Sequence, residues 1–402
     1  MVKIKTIFTT AILAAVMFFS ESFVQKEQKD GDLDALKDFV TVVKLNEKGQ
    51  ATYLYIHHAV DANLLQIPVL ESVNQINIES SKITLAGVSH ISKFPYLTDL
   101  SIYEAGLEDK DIKPLKDLKS LKKLMLKGNC ITDEGLKYIK DLDELEELDL
   151  SHTIYINSRM KITDSGMACL ENLKKLKSLH ISMNPVSDAG LMYLKNMNDL
   201  TFLDLSNTNV SYSGISNLKG LKNIFSLQLA GQDVNNRMIK SLQDLDKLTH
   251  LYLLHCPIDD AGMEYLGELK NLKHLEVFSV LPVTDKGLNC LSNLSSLEYL
   301  SLRLLQTTDA GLKILTGLPK LERLYITYAN QQQYTSEGLK FLQKMPSLKY
   351  LWLTSVRLDD QSVFVLAEMK NLKDLMLMPA PSKEYYTRLK ESLPNTRIPG
   401  GF

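Results

Sequence analysis

His250 and His274 lie 24 residues apart in two matching stretches, Leu248-Thr249-His250-Leu251 and Leu272-Lys273-His274-Leu275. If both stretches are neighbouring strands of one sheet, the two imidazoles face outward about 4.8 Å apart. Imidazole beside carboxylate is zinc-type chemistry, and Glu276 and His255 are the neighbours that would complete such a site. Two rings alone are not a metal centre, so the competing reading is a solvated polar surface. Nucleophilic and nucleotide chemistry have no motif to stand on: the chain contains no G-x-S-x-G, G-x-x-x-x-G-K-[ST], H-E-x-x-H, C-x-x-C or G-x-G-x-x-G. The expectation is a non-enzymatic protein with no cofactor and no metal.

A second set of residues carries binding chemistry instead. Outward strand positions, and those just after them, present Tyr252, Phe278, Tyr299, Arg303, Arg323, Tyr325, Tyr328, Tyr350 and Trp352, all in the C-terminal half. Earlier units mostly present Asp99, Lys123, Glu147, Asp149, Asp204 and Gln228, with Tyr103 and Phe202 as aromatic exceptions. Aromatic and arginine side chains dominate contact hot spots because they bury much area with few rotatable bonds. A partner-binding surface is therefore expected there; the plainer alternative is that aromatics are simply good strand formers.

What positions these residues is a repeat. Units of the form L-x-x-L-x-L begin at Val73, Leu97, Leu121, Leu145, Leu176, Leu200, Ile224, Leu248, Leu272, Leu297, Leu321, Leu348 and Leu372, mostly 24 residues apart. A fixed period of this size marks a solenoid. Within one unit Leu121, Leu124 and Leu126 alternate with Lys123, Met125 and Lys127 as a half-buried strand does. Thr132 and Asp133 then open a helix, the hydroxyl capping it and the carboxylate facing the dipole. Leu136, Ile139 and Leu142 give that helix its buried stripe. The same opening recurs as Thr163-Asp164-x-Gly166, Ser187-Asp188-x-Gly190, Asp259-Asp260-x-Gly262, Thr284-Asp285-x-Gly287 and Thr308-Asp309-x-Gly311, which marks these aspartates as structural.

From about Val73 to Met378 the chain resembles leucine-rich repeat proteins, in particular bacterial secreted ones with T-D-x-G-L helix starts, of ribonuclease-inhibitor-like type. The resemblance implies an α/β fold: a curved solenoid with a parallel sheet on its concave face and helices on its convex face. It implies no single activity. Residues 23–72 are expected to form an N-terminal cap and a degenerate first repeat around Ala51, Leu54 and Ile56, residues 73–371 the repeats, and residues 372–402 a C-terminal cap. Two units are long. The surplus falls at Ile154 to Lys161 and at Gln331 to Tyr334, after the strands, where loops can overhang the concave rim.

Residues 1–22 are expected to be a signal peptide: Lys3 and Lys5, an apolar run from Ile7 to Phe19, then Ser20 and Ser22 at small-residue spacing. That run is shorter than the roughly 20 residues a bilayer span needs, so no stable membrane span is expected. No cysteine follows it for a lipid anchor. Leu393-Pro394-Asn395-Thr396 lacks the rest of a cell-wall sorting signal. A net charge of −2, from 46 basic and 48 acidic residues, gives no case for nucleic acid. Of the four cysteines, Cys169 and Cys290 hold equivalent positions five units apart, while Cys130 with Cys169 and Cys256 with Cys290 sit in adjacent units with one cysteine just after the strand and the other within the helix, so four free thiols are expected.

The functional expectation is a secreted, periplasmic or envelope scaffold that binds a protein partner through its concave face. Glycan or cell-wall binding by the same ridge is the alternative. An F-box substrate adaptor is disfavoured because Ser22 to Gly49 is too short for that helical module.

Overall fold

The computed structural model describes residues 36, 38–153, 162–327, 334–354 and 356–399. The segment 1–22, the surplus at Ile154–Lys161 and Tyr328 lie outside them. Fifteen strands among the described residues form one sheet in strict chain order. They are β1 (Val40–Leu45), β2 (Ala51–His57), β3 (Gln75–Glu79), β4 (Asp99–Tyr103), β5 (Lys123–Met125), β6 (Glu147–Asp149), β7 (Ser178–His180) and β8 (Phe202–Asp204). The series continues with β9 (Ser226–Ala230), β10 (His250–Cys256), β11 (His274–Thr284), β12 (Tyr299–Gln306), β13 (Arg323–Thr327), β14 (Tyr350–Thr354) and β15 (Asp374–Met378). β1 runs antiparallel to β2, and each later strand is parallel to the one before it, as in β10 with β11 and β13 with β14. The sheet lines the concave side of an α/β solenoid, with helical segments on the convex side.

The leucine positions explain the stack. Leu121, Leu124, Leu148, Leu179, Leu203, Leu227, Leu251 and Leu275 are all fully buried, so each strand contributes one row to a core continuous along the whole array. Asn129 closes one turn beneath the sheet. Its Nδ2 donates to the carbonyls of Ile102 and Leu126, and its Oδ1 accepts from the amides of Ala105 and Leu107. Asn184 repeats this, and Cys256 stands at the equivalent place, its thiol directed at the Leu254 carbonyl.

The helical side is more irregular than the apolar spacing predicts. Four-residue α-turns such as Asp133–Leu136 and Asp188–Leu191 are common, several followed by 3-10 turns, and Asp109–Asp117 is 3-10 throughout with Pro114 inside it. A 3-10 turn rises about 2.0 Å per residue against 1.5 Å for an α-helix, so it spans the return path with fewer residues.

The helix starts are coupled between units. Thr284 caps its own helix by accepting from the Lys286 amide, while Asp260 of the preceding unit accepts from the Thr284 amide, the Thr284 hydroxyl and the Gly287 amide at 2.8, 2.6 and 3.1 Å. Asp61, Asp109, Asp133, Asp164, Asp188, Asp285 and Asp309 each bond the next unit's cap in the same way. The carboxylate stands where a side chain at the next unit's glycine would begin: a Cβ on Gly87 would meet Asp61 Oδ1 at 2.6 Å. At Leu85, Tyr212 and Ser336 the carboxylate is lost and the glycine one unit on is lost with it, to Asp111, Met238 and Ser362, whereas at Asn236 an amide oxygen stands in the carboxylate's place and Gly262 remains. Asp111 reverses the bond and accepts from the Leu85 amide.

All four cysteines are free. Burial pushes the Cys256 thiol up to about 12, and burial also raises Cys130, Cys169 and Cys290. The thiolate is the reactive form, so Cys256 is expected to react with Ellman's reagent only after unfolding in guanidinium. A full count of four thiols in the native protein at pH 8 would contradict this placement. Tyr334, anticipated in an overhanging loop, is instead buried, with its hydroxyl 2.5 Å from that of Thr307.

Candidate binding surface

In register, His250 pairs with His274, His274 with Tyr299, Tyr299 with Arg323, and Tyr325 with Trp352. The strand ladder thus carries the rings to stacking distance, and the side chains complete a continuous file. His250 stacks on His274 with centroids 5.5 Å apart, and His274 lies almost flat on Tyr299 at 3.8 Å and 8°. Tyr299 meets Tyr325 at 5.1 Å, and Tyr325 meets Trp352 at 4.7 Å. The Trp352 indole N–H donates to Asp374 Oδ1 at 2.9 Å, which pins the end of the file to β15. Tyr252 flanks it, 4.8 Å from His274. These rings are half-buried, and their faces are used against one another.

The remaining candidates fall at the two edges of the file. Phe278 lies between His255 at 4.0 Å and the Arg303 guanidinium at 4.6 Å, and Arg303 Nε donates to Thr327 Oγ1. At the opposite edge the exposed Arg323 lies 4.7 Å over the Tyr350 ring.

Protonation follows burial. Burial first, then the Glu276 carboxylate, pushes the Tyr299 phenol up, and burial also raises Tyr252 and Tyr325. Burial, with His274 and Lys273, holds His250 below the ordinary imidazole value. His274 Nε2 lies 3.1 Å from Glu276 Oε1, but His255 does not join them. It is the bulged residue of β10, in left-handed backbone at φ 56°, with its ring on Phe278. No group of three metal-ligating side chains converges among the described residues.

The other half of the face is built from charge pairs. Lys123 bridges Glu147 at 2.5 Å, and Asp149 and Asp204 are nearly buried, each accepting from a backbone amide two residues on. Ser178, His180 and Asp204 stand in the order of a nucleophilic triad. The Ser178 Oγ–His180 Nε2 distance is 3.1 Å, but His180 Nδ1 is 4.0 Å from Asp204, too far for the orienting hydrogen bond. A hollow of about 110 Å³ between Lys219–Ile224 and Asp244–Lys247 lies away from the ridge and is small beside the roughly 300–1,000 Å³ of ligand pockets.

Sequence reasoning missed a second aromatic group at the N-terminal end: Tyr53, Tyr55 and His57 on β2, with Tyr55 donating to Glu79 at 2.6 Å. Tyr53 pairs in register with Gln75, so carrying the repeat one unit upstream of Val73 finds it. Spacing alone brings out the His250–His274 pair, but as two possible ligands, not as part of a ring file.

The open parallel sheet, its one-layer-per-unit core and its concave row of ring edges define an α/β solenoid that presents a surface. The chain belongs to the leucine-rich repeat proteins: the family model described as "Leucine-rich repeat region" matches residues 72–343. Its fold is similar to that of an internalin from Listeria monocytogenes, at 20% identity and TM-score 0.56, over 86% of this chain and 93% of the other. Two further solved structures are a second internalin of that organism, internalin C2 (24% identity, TM-score 0.33, 59% and 83% covered), and a plant peptide hormone receptor in complex with RGF2 (16%, 0.41, 90% and 67%). No curated protein matches the chain in sequence. Among the described residues no helix is long and apolar enough to cross a membrane.

Proposed function

We propose that this protein is a non-enzymatic recognition scaffold of the cell exterior, periplasm or envelope, and that it binds a protein partner through the C-terminal half of its concave face. The observation that carries the reading is the file from His250 to Trp352, with Arg303 and Arg323 at its margins. Ring edges, phenol hydroxyls and guanidinium donors offer the mixture of apolar area and polar handles found at protein hot spots. The segment from Lys3 to Ser22 supports export.

Glycan binding is the competing reading, and the stacking geometry weighs against it. A sugar needs an open ring face, whereas His274 covers one face of Tyr299 and Tyr325 abuts its ring. A glycan array is expected to show no ligand competed by a simple oligosaccharide. A hit lost in the Tyr325→Ala, Trp352→Ala variant would replace the protein reading with the glycan one.

A further inference from the structure

We propose that the His250–His274 pair is a proton-operated element that holds the ridge stacked near neutral pH and releases it on acidification, so that partner binding weakens as pH falls. This rests on the ridge being the contact surface.

The two rings are fixed in register on adjacent strands, their centroids 5.5 Å apart and their planes 19° from parallel. Two positive charges at that separation, on a half-buried surface, repel strongly. The groups around His250 give a positive charge there little support. From β9 and the residue before it come Ser226, Gln228 and the Phe225 ring, all uncharged. From the residue before it His250 meets the Thr249 hydroxyl, 2.9 Å from its Nδ1, while Tyr252 of its own strand lies against His274. From the β11 side come Glu276, on His274 Nε2, and Lys273; from the β12 side come Tyr299 and Glu298. Glu276 Oε1 lies 3.1 Å from His274 Nε2, whereas a proton on His250 faces His274 and Lys273, with only Glu298 opposing.

Burial in the stack, with His274 and Lys273 beside it, holds His250 below its ordinary value, so the stacked ring binds fewer protons than an unstacked, solvated ring does. Stacking is fully favoured above the ordinary imidazole value of about 6.5 and loses favour as pH falls through it, by up to about tenfold per pH unit for one proton. Because His274 lies flat on Tyr299, and Tyr299 leads through Tyr325 to Trp352, unstacking at the imidazoles frees the contact rings in turn.

Histidine proton resonances and acrylamide quenching of Trp352, the single tryptophan, recorded on the full chain from pH 7.5 to 5 test this without a partner. In His274→Gln the titration midpoint of His250 is expected to rise, because one of the groups that lowers it is gone. Quenching of Trp352 is expected to increase on acidification in the unaltered protein and to stay flat in His250→Gln. Both histidines face outward from the leucine core, so neither change threatens the fold. An unchanged His250 midpoint, flat quenching in the unaltered protein, or a pH response that survives in His250→Gln would each overturn the proposal. None of these results bears on whether the ridge binds a partner, which the capture experiment below decides separately.

Discussion

Replacing Asp260 with alanine is expected to destabilise the protein by about 2–4 kcal/mol. The loss removes the acceptor for the Thr284 amide, the Thr284 hydroxyl and the Gly287 amide, leaving donors at a packed interface between units with nothing charged to meet. Gly287→Ala is expected to cost about 1–3 kcal/mol, because its methyl would enter the space of Asp260 Oδ1 and lie 3.0 Å from Val283 Cγ1. The double variant carries the distinctive expectation. With the carboxylate gone the methyl loses its nearest clash and is left with Val283 Cγ1 at 3.0 Å and the residue 260 Cα at 3.2 Å, so the combined loss falls short of the sum by about 0.5–2 kcal/mol. Chemical denaturation of the four proteins measures this. Strict additivity would mean that carboxylate and glycine are not physically coupled across the unit boundary.

The second large effect concerns the ridge. Tyr325→Ala with Trp352→Ala is expected to weaken partner binding by at least about 100-fold, as loss of two central aromatic contacts does at hot spots. The fold should survive, because both side chains project from the face opposite the buried Leu324, Ile326, Leu351 and Leu353. Removing the indole takes a donor from Asp374, but Arg397 lies 3.8 Å from that carboxylate. Trp352→Phe keeps a ring in the file while losing the N–H, so it separates stacking from the hydrogen bond; retained capture by this variant is expected. An unchanged circular dichroism spectrum in both variants is the condition for reading the result as a surface effect.

The leucine ladder was legible residue by residue, because a period of 24 and an inward alternation leave one way to stack the units. The helix starts were legible only in part. Thr-Asp-x-Gly reads as a local cap within one unit, yet the carboxylate serves the next unit's cap, and only the paired losses at Leu85 and Asp111, Tyr212 and Met238, and Ser336 and Ser362 reveal the coupling. The candidate ridge was legible as a list of residue types but not as a file. Tyr299 shares its outward column with His274, whereas the file passes next to Tyr325, in the neighbouring column, and that crossover depends on side-chain direction. His255 escaped for a related reason: a bulge turns it off the sheet face onto Phe278, and no spacing rule announces a bulge.

Crosslinking capture from native extracellular and envelope fractions, comparing the intact protein with the Tyr325→Ala, Trp352→Ala variant, tests the proposed function most directly. A protein recovered with the intact chain and lost from the variant is the predicted result. Equal recovery by both forms would remove the C-terminal concave ridge as the contact surface, and recovery by neither would contradict a protein-binding scaffold.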